Sequence, residues 1–179
     1  MALFTNQATL SYNDNVVNSN IVTGEIVQVL TVSKTALSDT YERDKTITYI
    51  VNIVNSSDSD FTNLSINDNL GEYSFNSGSL VPLTYVNNSI RYFINGDLQT
   101  APTVTSVSPL IATNITVPAN GNATVVYSAT ANEFAPLDVE SEITNTVTVN
   151  GASLSSPITA NETITLETGP ILSITKAVC

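Results

Sequence analysis

Histidine and tryptophan are absent from this 179-residue chain, and it holds a single cysteine. Without histidine there is no Ser-His-Asp triad, no Cys-His nucleophile pair and little basis for a zinc site. Without tryptophan, and with aromatics at 7%, the composition argues against a sugar-binding cleft. The lone thiol, Cys179, cannot close an internal disulfide; it either pairs between chains or opens a further segment. Basic residues are scarce as well. Lys and Arg total 5 against 16 Asp and Glu, a net charge of −11. A nucleic-acid binder needs a basic stripe to neutralise phosphates, and an anionic membrane surface makes a similar demand; neither partner fits. The chain has no glycine-rich phosphate loop and no run of about 18 apolar residues able to insert into a membrane. Asp58-Ser59-Asp60 and Asp138-Val139-Glu140-Ser141-Glu142 lack EF-hand spacing and read as solvated acidic loops. No metal, cofactor or turnover chemistry is implied, and the chain reads as a non-enzyme. Its start, Met1-Ala2-Leu3-Phe4-Thr5-Asn6, has no basic segment leading into an apolar one. The expectation is a removed signal or another way out, such as spore release by mother-cell lysis.

What is abundant is Val, Ile, Leu and Tyr interleaved with Thr, Ser and Asn, in a chain that is 42% hydrophobic. Such interleaving is characteristic of half-buried strands. It predicts strands at 4–12, 20–34, 46–54, 62–68, 80–86, 89–94, 97–101, 113–117, 123–131, 143–149, 157–166 and 171–177. Asn95-Gly96 between two such runs predicts a two-residue hairpin. Many short strands with regular turns and no helical period predict an all-β fold, an immunoglobulin-like antiparallel sandwich. The length suits one domain of roughly 140 residues with extensions. The expected divisions are an N-terminal partial repeat at 1–29, a sandwich at 30–168 and a C-terminal strand at 169–179.

The head and the tail resemble each other. Phe4-Thr5-Asn6-Gln7-Ala8-Thr9-Leu10 matches Ile143-Thr144-Asn145-Thr146-Val147-Thr148-Val149, and Ile21-Val22-Thr23-Gly24-Glu25 matches Ile158-Thr159-Ala160-Asn161-Glu162. Leu30-Thr31-Val32-Ser33-Lys34-Thr35-Ala36 matches Leu172-Ser173-Ile174-Thr175-Lys176-Ala177. A partial repeat cannot close its own core, so it must pack on something else. That favours a module made to join others of its kind.

Alternation also puts three polar residues on apolar faces. Lys34 is in phase with Leu30, Val32 and Ala36; Asp68 with Leu64, Ile66 and Leu70; Asn145 with Ile143, Val147 and Val149. Burying these groups unpaired is expensive. One arrangement satisfies all three. Burial favours a neutral Lys amine and a neutral Asp acid, and the amine attacks the Asn side-chain carbon to leave an isopeptide bond and ammonia. Two others satisfy the same pattern: a buried ion pair hydrogen-bonded to Asn145, or a β-bulge that exposes one member. Glu162, in phase with Ile158, Ala160 and Ile164, is the alternative acid. In the partial copies, Asn6 and Lys176 keep the same phases, so an intersubunit bond between them, with Glu25 as acid, is a further expectation.

The run from Lys34 through Ile47-Thr48-Tyr49-Ile50-Val51-Asn52-Ile53-Val54-Asn55-Ser56, Ile66-Asn67-Asp68-Asn69-Leu70 and Ile143–Val149 resembles the conserved repeat domain of bacterial surface proteins known as domain of unknown function eleven. The resemblance covers roughly residues 30–168. It implies a β-sandwich repeat of cell-surface and fibre-forming proteins. The chain is also similar to pilin domains with internal Lys–Asn bonds, which would make Lys34, Asp68 and Asn145 the reacting set. The family's Asp is typically followed by a Leu-Pro turn, whereas here Asn69-Leu70-Gly71 follows. The leading expectation is a self-assembling subunit of an extracellular fibre, pilus or cell- or spore-surface appendage. Its partner is itself, and its head strands complement a neighbour's sheet. The alternative is a monomeric adhesin or spacer repeat of a longer surface protein, with a host or cell-wall ligand. A hydrolase accessory domain is a third reading, and would require a cleft with convergent carboxylates.

Overall fold

Strands follow wherever β-branched and aromatic residues alternate with Thr, Ser and Asn. The computed structural model describes residues 2–26 and 29–167. In chain order the strands are β1 (Ala2–Asn6), β2 (Thr9–Tyr12), β3 (Asn15–Asn18), β4 (Val22–Ile26), β5 (Leu30–Ala36), β6 (Thr40–Tyr41), β7 (Thr46–Asn55), β8 (Phe61–Asp68) and β9 (Tyr73–Phe75). There follow β10 (Gly78–Leu80), β11 (Leu83–Tyr85), β12 (Arg91–Ile94), β13 (Asp97–Gln99), β14 (Thr103–Val107), β15 (Leu110–Val117), β16 (Gly121–Ala131), β17 (Glu142–Asn150) and β18 (Ile158–Leu166). The described residues contain no helix.

Two sheets face each other as an immunoglobulin-like sandwich. One runs β13-β12-β16-β7-β5, with β11 also on β16; the other runs β14-β15-β8-β17-β18-β6. All pairings are antiparallel except β6 with β18. The longest ladder joins β7 to β16, from Asn55↔Gly121 to Thr46↔Thr130. Along these strands alternate residues enter the core: Ile47, Tyr49, Val51 and Ile53 from β7, and Ala123, Val125, Tyr127, Ala129 and Ala131 from β16. The second sheet answers with Leu64 and Ile66, and with Ile143, Val147 and Val149. Each large apolar side chain so buried contributes about 1.5–3 kcal/mol. Ala129 of β16 lies opposite Tyr85 of β11, where a small side chain leaves room for the ring.

Asn95 and Gly96 form the expected two-residue turn between β12 and β13. Both have positive φ, 50° and 89°, the mirror-image turn that suits the right-handed strand twist. Other expectations need correction. The segment 4–12 is two strands, broken at Gln7-Ala8, and 20–34 supplies β4 and β5, which lie in different sheets. Pro82, which has no N–H for a ladder, cuts the segment 80–86, and β11 begins after it. The segment 171–177 lies outside the described residues.

The N-terminal strands form a long hairpin ribbon. β1 pairs with β4 and β2 with β3, and Asn13 and Asp14 turn the tip at φ 47° and 61°. Phe4 sits opposite Gly24 and its ring lies over that residue; a Cβ there would meet the ring at 2.3 Å. The ribbon leaves Phe4, Leu10, Tyr12, Val16, Val17, Ile21 and Val22 exposed, each more than half.

Candidate functional site

Strands of the two sheets bring Lys34, Asp68 and Asn145 into one buried hydrogen-bonded cluster through Tyr127. Lys34 lies midway along β5, opposite Val51. Asp68 ends β8, opposite Val147 of β17. Asn145 lies two positions earlier on β17, opposite Glu162 of β18. All three are buried, at 4%, 0% and 0% exposure, so no bulge turns any of them outward.

Lys34 Nζ lies 2.5 Å from Asp68 Oδ2. The same oxygen accepts a hydrogen bond from the Tyr127 hydroxyl at 2.6 Å, and that hydroxyl accepts one from Asn145 Nδ2 at 3.1 Å. The other Asp68 oxygen, Oδ1, accepts the Leu70 amide at 3.0 Å. This turn is formed by Asn69-Leu70-Gly71. Leu70 and Gly71 both take positive φ, 53° and 74°, and the carboxylate holds the backbone that leaves its own strand. Tyr49 and Tyr127, cross-strand partners on β7 and β16, stack at 5.5 Å and 22°. Lys34 Nζ sits 5.0 Å and 5.9 Å from their ring centres, where the ring faces attract a cation.

Burial pushes Lys34 down from 10.5 to about 8, against the opposing pull of Asp68 and Glu162. A neutral amine is therefore accessible near neutral pH. Burial, reinforced by the Asp68 charge, raises Tyr127 well above its ordinary value, so its phenol keeps its proton. Tyr49 is raised by burial too, with the neighbouring Asn145 amide acting in the opposite direction.

Asn145 Oδ1 and the Tyr49 hydroxyl are buried without a hydrogen-bond partner. Asn55, the other buried Asn, is a useful contrast. Its Nδ2 donates to the Ser59 and Pro118 carbonyls and its Oδ1 accepts from the Ser57 amide and hydroxyl. That side chain is satisfied, as a structural Asn should be. Asn145, with its carbonyl oxygen unmatched, is not.

Glu162, the alternative acid, is half-buried, and Oε1 accepts the Ala36 amide of β5 at 3.3 Å. It thus ties β18 to β5 and does not join the Lys34–Asp68–Tyr127–Asn145 chain. Asn6 is exposed on β1 opposite Val22, and Glu25 pairs by backbone with Leu3. The sandwich pairing Asn145↔Glu162 is not reproduced there, because the Asn13-Asp14 turn fixes a different register. Lys176 and Cys179 lie outside the described residues. Sequence reasoning missed Tyr127. Its phase with Val125 and Ala129 was readable, but an inward tyrosine reads first as core. Among the described residues, no group of three or more His, Cys, Asp or Glu side chains could hold a metal, and no helix is long and apolar enough to cross a membrane.

No family model matches the chain, and no curated protein matches it; the repeat-domain resemblance therefore rests on the residues that carry it. Solved structures do match in fold. The pilus backbone RrgB of Streptococcus pneumoniae aligns with TM-score 0.52 at 16% identity, over 68% of this chain and 31% of that one. BcpA, the major pilin subunit of Bacillus cereus, aligns with TM-score 0.53 at 13% identity, over 90% of this chain and 47% of that one. The chain thus spans less than half the length of either. At these identities the likeness is one of fold, an all-β pilin-like sandwich.

Proposed function

We propose that this chain is a structural subunit of an extracellular fibre, pilus or cell- or spore-surface appendage, strengthened by a Lys34–Asn145 isopeptide bond. The observation that carries this reading is the buried Lys34–Asp68 pair linked through Tyr127 to an Asn145 whose carbonyl oxygen has no partner. Lys34 Nζ is the nucleophile, Asn145 Cγ the electrophile and Asp68 the proton-transfer group; each molecule reacts once and needs no cofactor. The fold likeness to a pilus backbone and a major pilin supports the fibre role. The exposed ribbon of β1 to β4 supports assembly by strand complementation, since a two-stranded hairpin is marginal alone. An Asn6–Lys176 bond between subunits would extend the same chemistry along the fibre, with Glu25 as acid and Cys179 as a second intersubunit link.

The test is the intact mass of the reduced, boiled protein. Loss of about 17 Da at monomer mass is expected, the signature of lost ammonia. Multiples of the monomer mass would place the bond between subunits. An unmodified monomer would leave the cluster as a buried ion pair and sink the crosslink. The second reading is a monomeric adhesin or spacer repeat of a longer surface protein, with a host or cell-wall ligand. It is favoured by the fraction of the larger pilins that this chain covers. Sedimentation of the purified chain separates the two: fibres support assembly, and a persistent monomer supports the spacer.

A further inference from the structure

The structure assigns Tyr127 the part of proton relay in the crosslinking step, an inference that rests on the isopeptide reading above. The phenol oxygen touches both ends of the proton's path. It donates to Asp68 Oδ2 at 2.6 Å and accepts from Asn145 Nδ2 at 3.1 Å, and Nδ2 is the atom that must leave as ammonia. Asp68 Oδ2 is in turn 2.5 Å from the attacking Lys34 Nζ. None of the Asp68 hydrogen bonds reaches Nδ2 directly: Oδ2 is taken by Lys34 and Tyr127, and Oδ1 by the Leu70 amide. The phenol is the hydrogen-bonded bridge between the acid and the leaving nitrogen.

The step balances as follows. The Lys34–Asp68 pair holds one proton more than a neutral amine and a carboxylate; with that proton on Asp68, Lys34 is a free amine. Nζ forms a bond to Asn145 Cγ, and the electron pair of the C=O moves to Oδ1. Cγ is now tetrahedral, so the Nδ2 lone pair is released from amide conjugation and accepts the Tyr127 proton, while the Tyr127 oxygen takes the Asp68 proton. One proton from Nζ returns to Asp68 Oδ2. The Cγ–Nδ2 bond breaks as the carbonyl re-forms, and ammonia departs. Asp68 and Tyr127 end in the protonation states in which they began, so no outside acid, oxidant or co-reactant is required. The direction of the Tyr127 hydrogen bonds reverses during the step, which a hydroxyl can do by rotation.

The rate of mass loss tests this. The chain is made by cell-free synthesis, samples are stopped in denaturant at intervals, and intact mass is read. Wild type should lose about 17 Da, and Tyr127→Phe should do so about 100-fold more slowly. Tyr85→Phe is the control. It removes a hydroxyl from the neighbouring ring, 6.4 Å from Tyr127, that has no hydrogen-bond partner, and should react at the wild-type rate. If Tyr127→Phe does not fold, a fluorinated tyrosine at position 127 keeps the shape and the hydroxyl but makes the phenol more acidic. Its rate should differ from wild type, and an unchanged rate overturns the relay. Normal crosslinking by a folded Tyr127→Phe protein overturns the relay alone. Absence of any mass loss in wild type overturns the isopeptide reading itself. Loss of about 18 Da means that water left from a Lys34–Asp68 condensation; it overturns both, because Asp68 would then be consumed.

Discussion

A buried lysine with a carboxylate at 2.5 Å is a group under opposed influences, and its titration makes them measurable. Burial lowers Lys34 from 10.5 to about 8 even with Asp68 in contact. In an Asn145→Ala protein, which cannot crosslink, the unfolded chain therefore carries the Lys34 proton between pH 8 and 10.5 while the folded chain has released it. Stability rises with pH wherever the unfolded state binds more protons. The midpoint of urea unfolding of Asn145→Ala should thus climb from pH 8 to about 9.5. Above 10.0 the sign reverses, because Tyr49 and Tyr127 are raised and keep protons that the unfolded chain gives up. A flat or falling midpoint across the lower window would show that Lys34 is not desolvated. Removal of the carboxylate is a different matter. Asp68→Ala strands the ammonium in the core and should destabilise by about 3–5 kcal/mol, measurable by the same denaturation.

Among the strands, those with strong alternation were legible and those without it were not. β7, β8, β16, β17 and β18 each carry an apolar phase over eight or more residues, enough to fix type and inward face. The same phase located Lys34, Asp68 and Asn145 in the core. β3, β6, β9 and β14 were missed: β3, β6 and β9 have at most four residues, and β14 is half solvent-facing, so period carries little signal there. The head was misjudged for another reason. Its similarity to 143–149 and 158–162 lies in side-chain order, whereas pairing is set by the Asn13-Asp14 turn, and Leu3, not Asn6, faces Glu25. Tyr127 was hidden because its ring belongs to the core and only its hydroxyl belongs to the site. The ribbon has its own expected outcome. Deleting residues 1–12 should abolish assembly, read by electron microscopy, and leave the melting of the sandwich nearly unchanged; fibres from the shortened chain would remove the ribbon from the assembly mechanism. Amide exchange should be fast in β2 and β3, whose side chains are exposed, and slow in β7 and β16.

At the scale of the molecule, the cluster joins strands that lie far apart in sequence. β5 begins the sandwich and β17 is next to last in it. A Lys34–Asn145 bond would close a loop of about 110 residues, and by the loop-entropy relation for crosslinks that stabilises the fold by about 4–5 kcal/mol. Wild type should therefore melt well above Asn145→Ala. Equal melting of a crosslinked wild type and the variant would contradict the entropic account. The position of that bond has a mechanical consequence. With the bond in place, tension entering at Leu30 would run along β5 to Lys34, cross to β17 and leave through β18; the strands between would be bypassed, as a stitched hem bypasses the slack cloth within it. Roughly 380 Å of chain, at about 3.5 Å per residue, would be withheld from stretching. A single molecule pulled from its ends should show that missing length, and the Asn145→Ala chain should give it back.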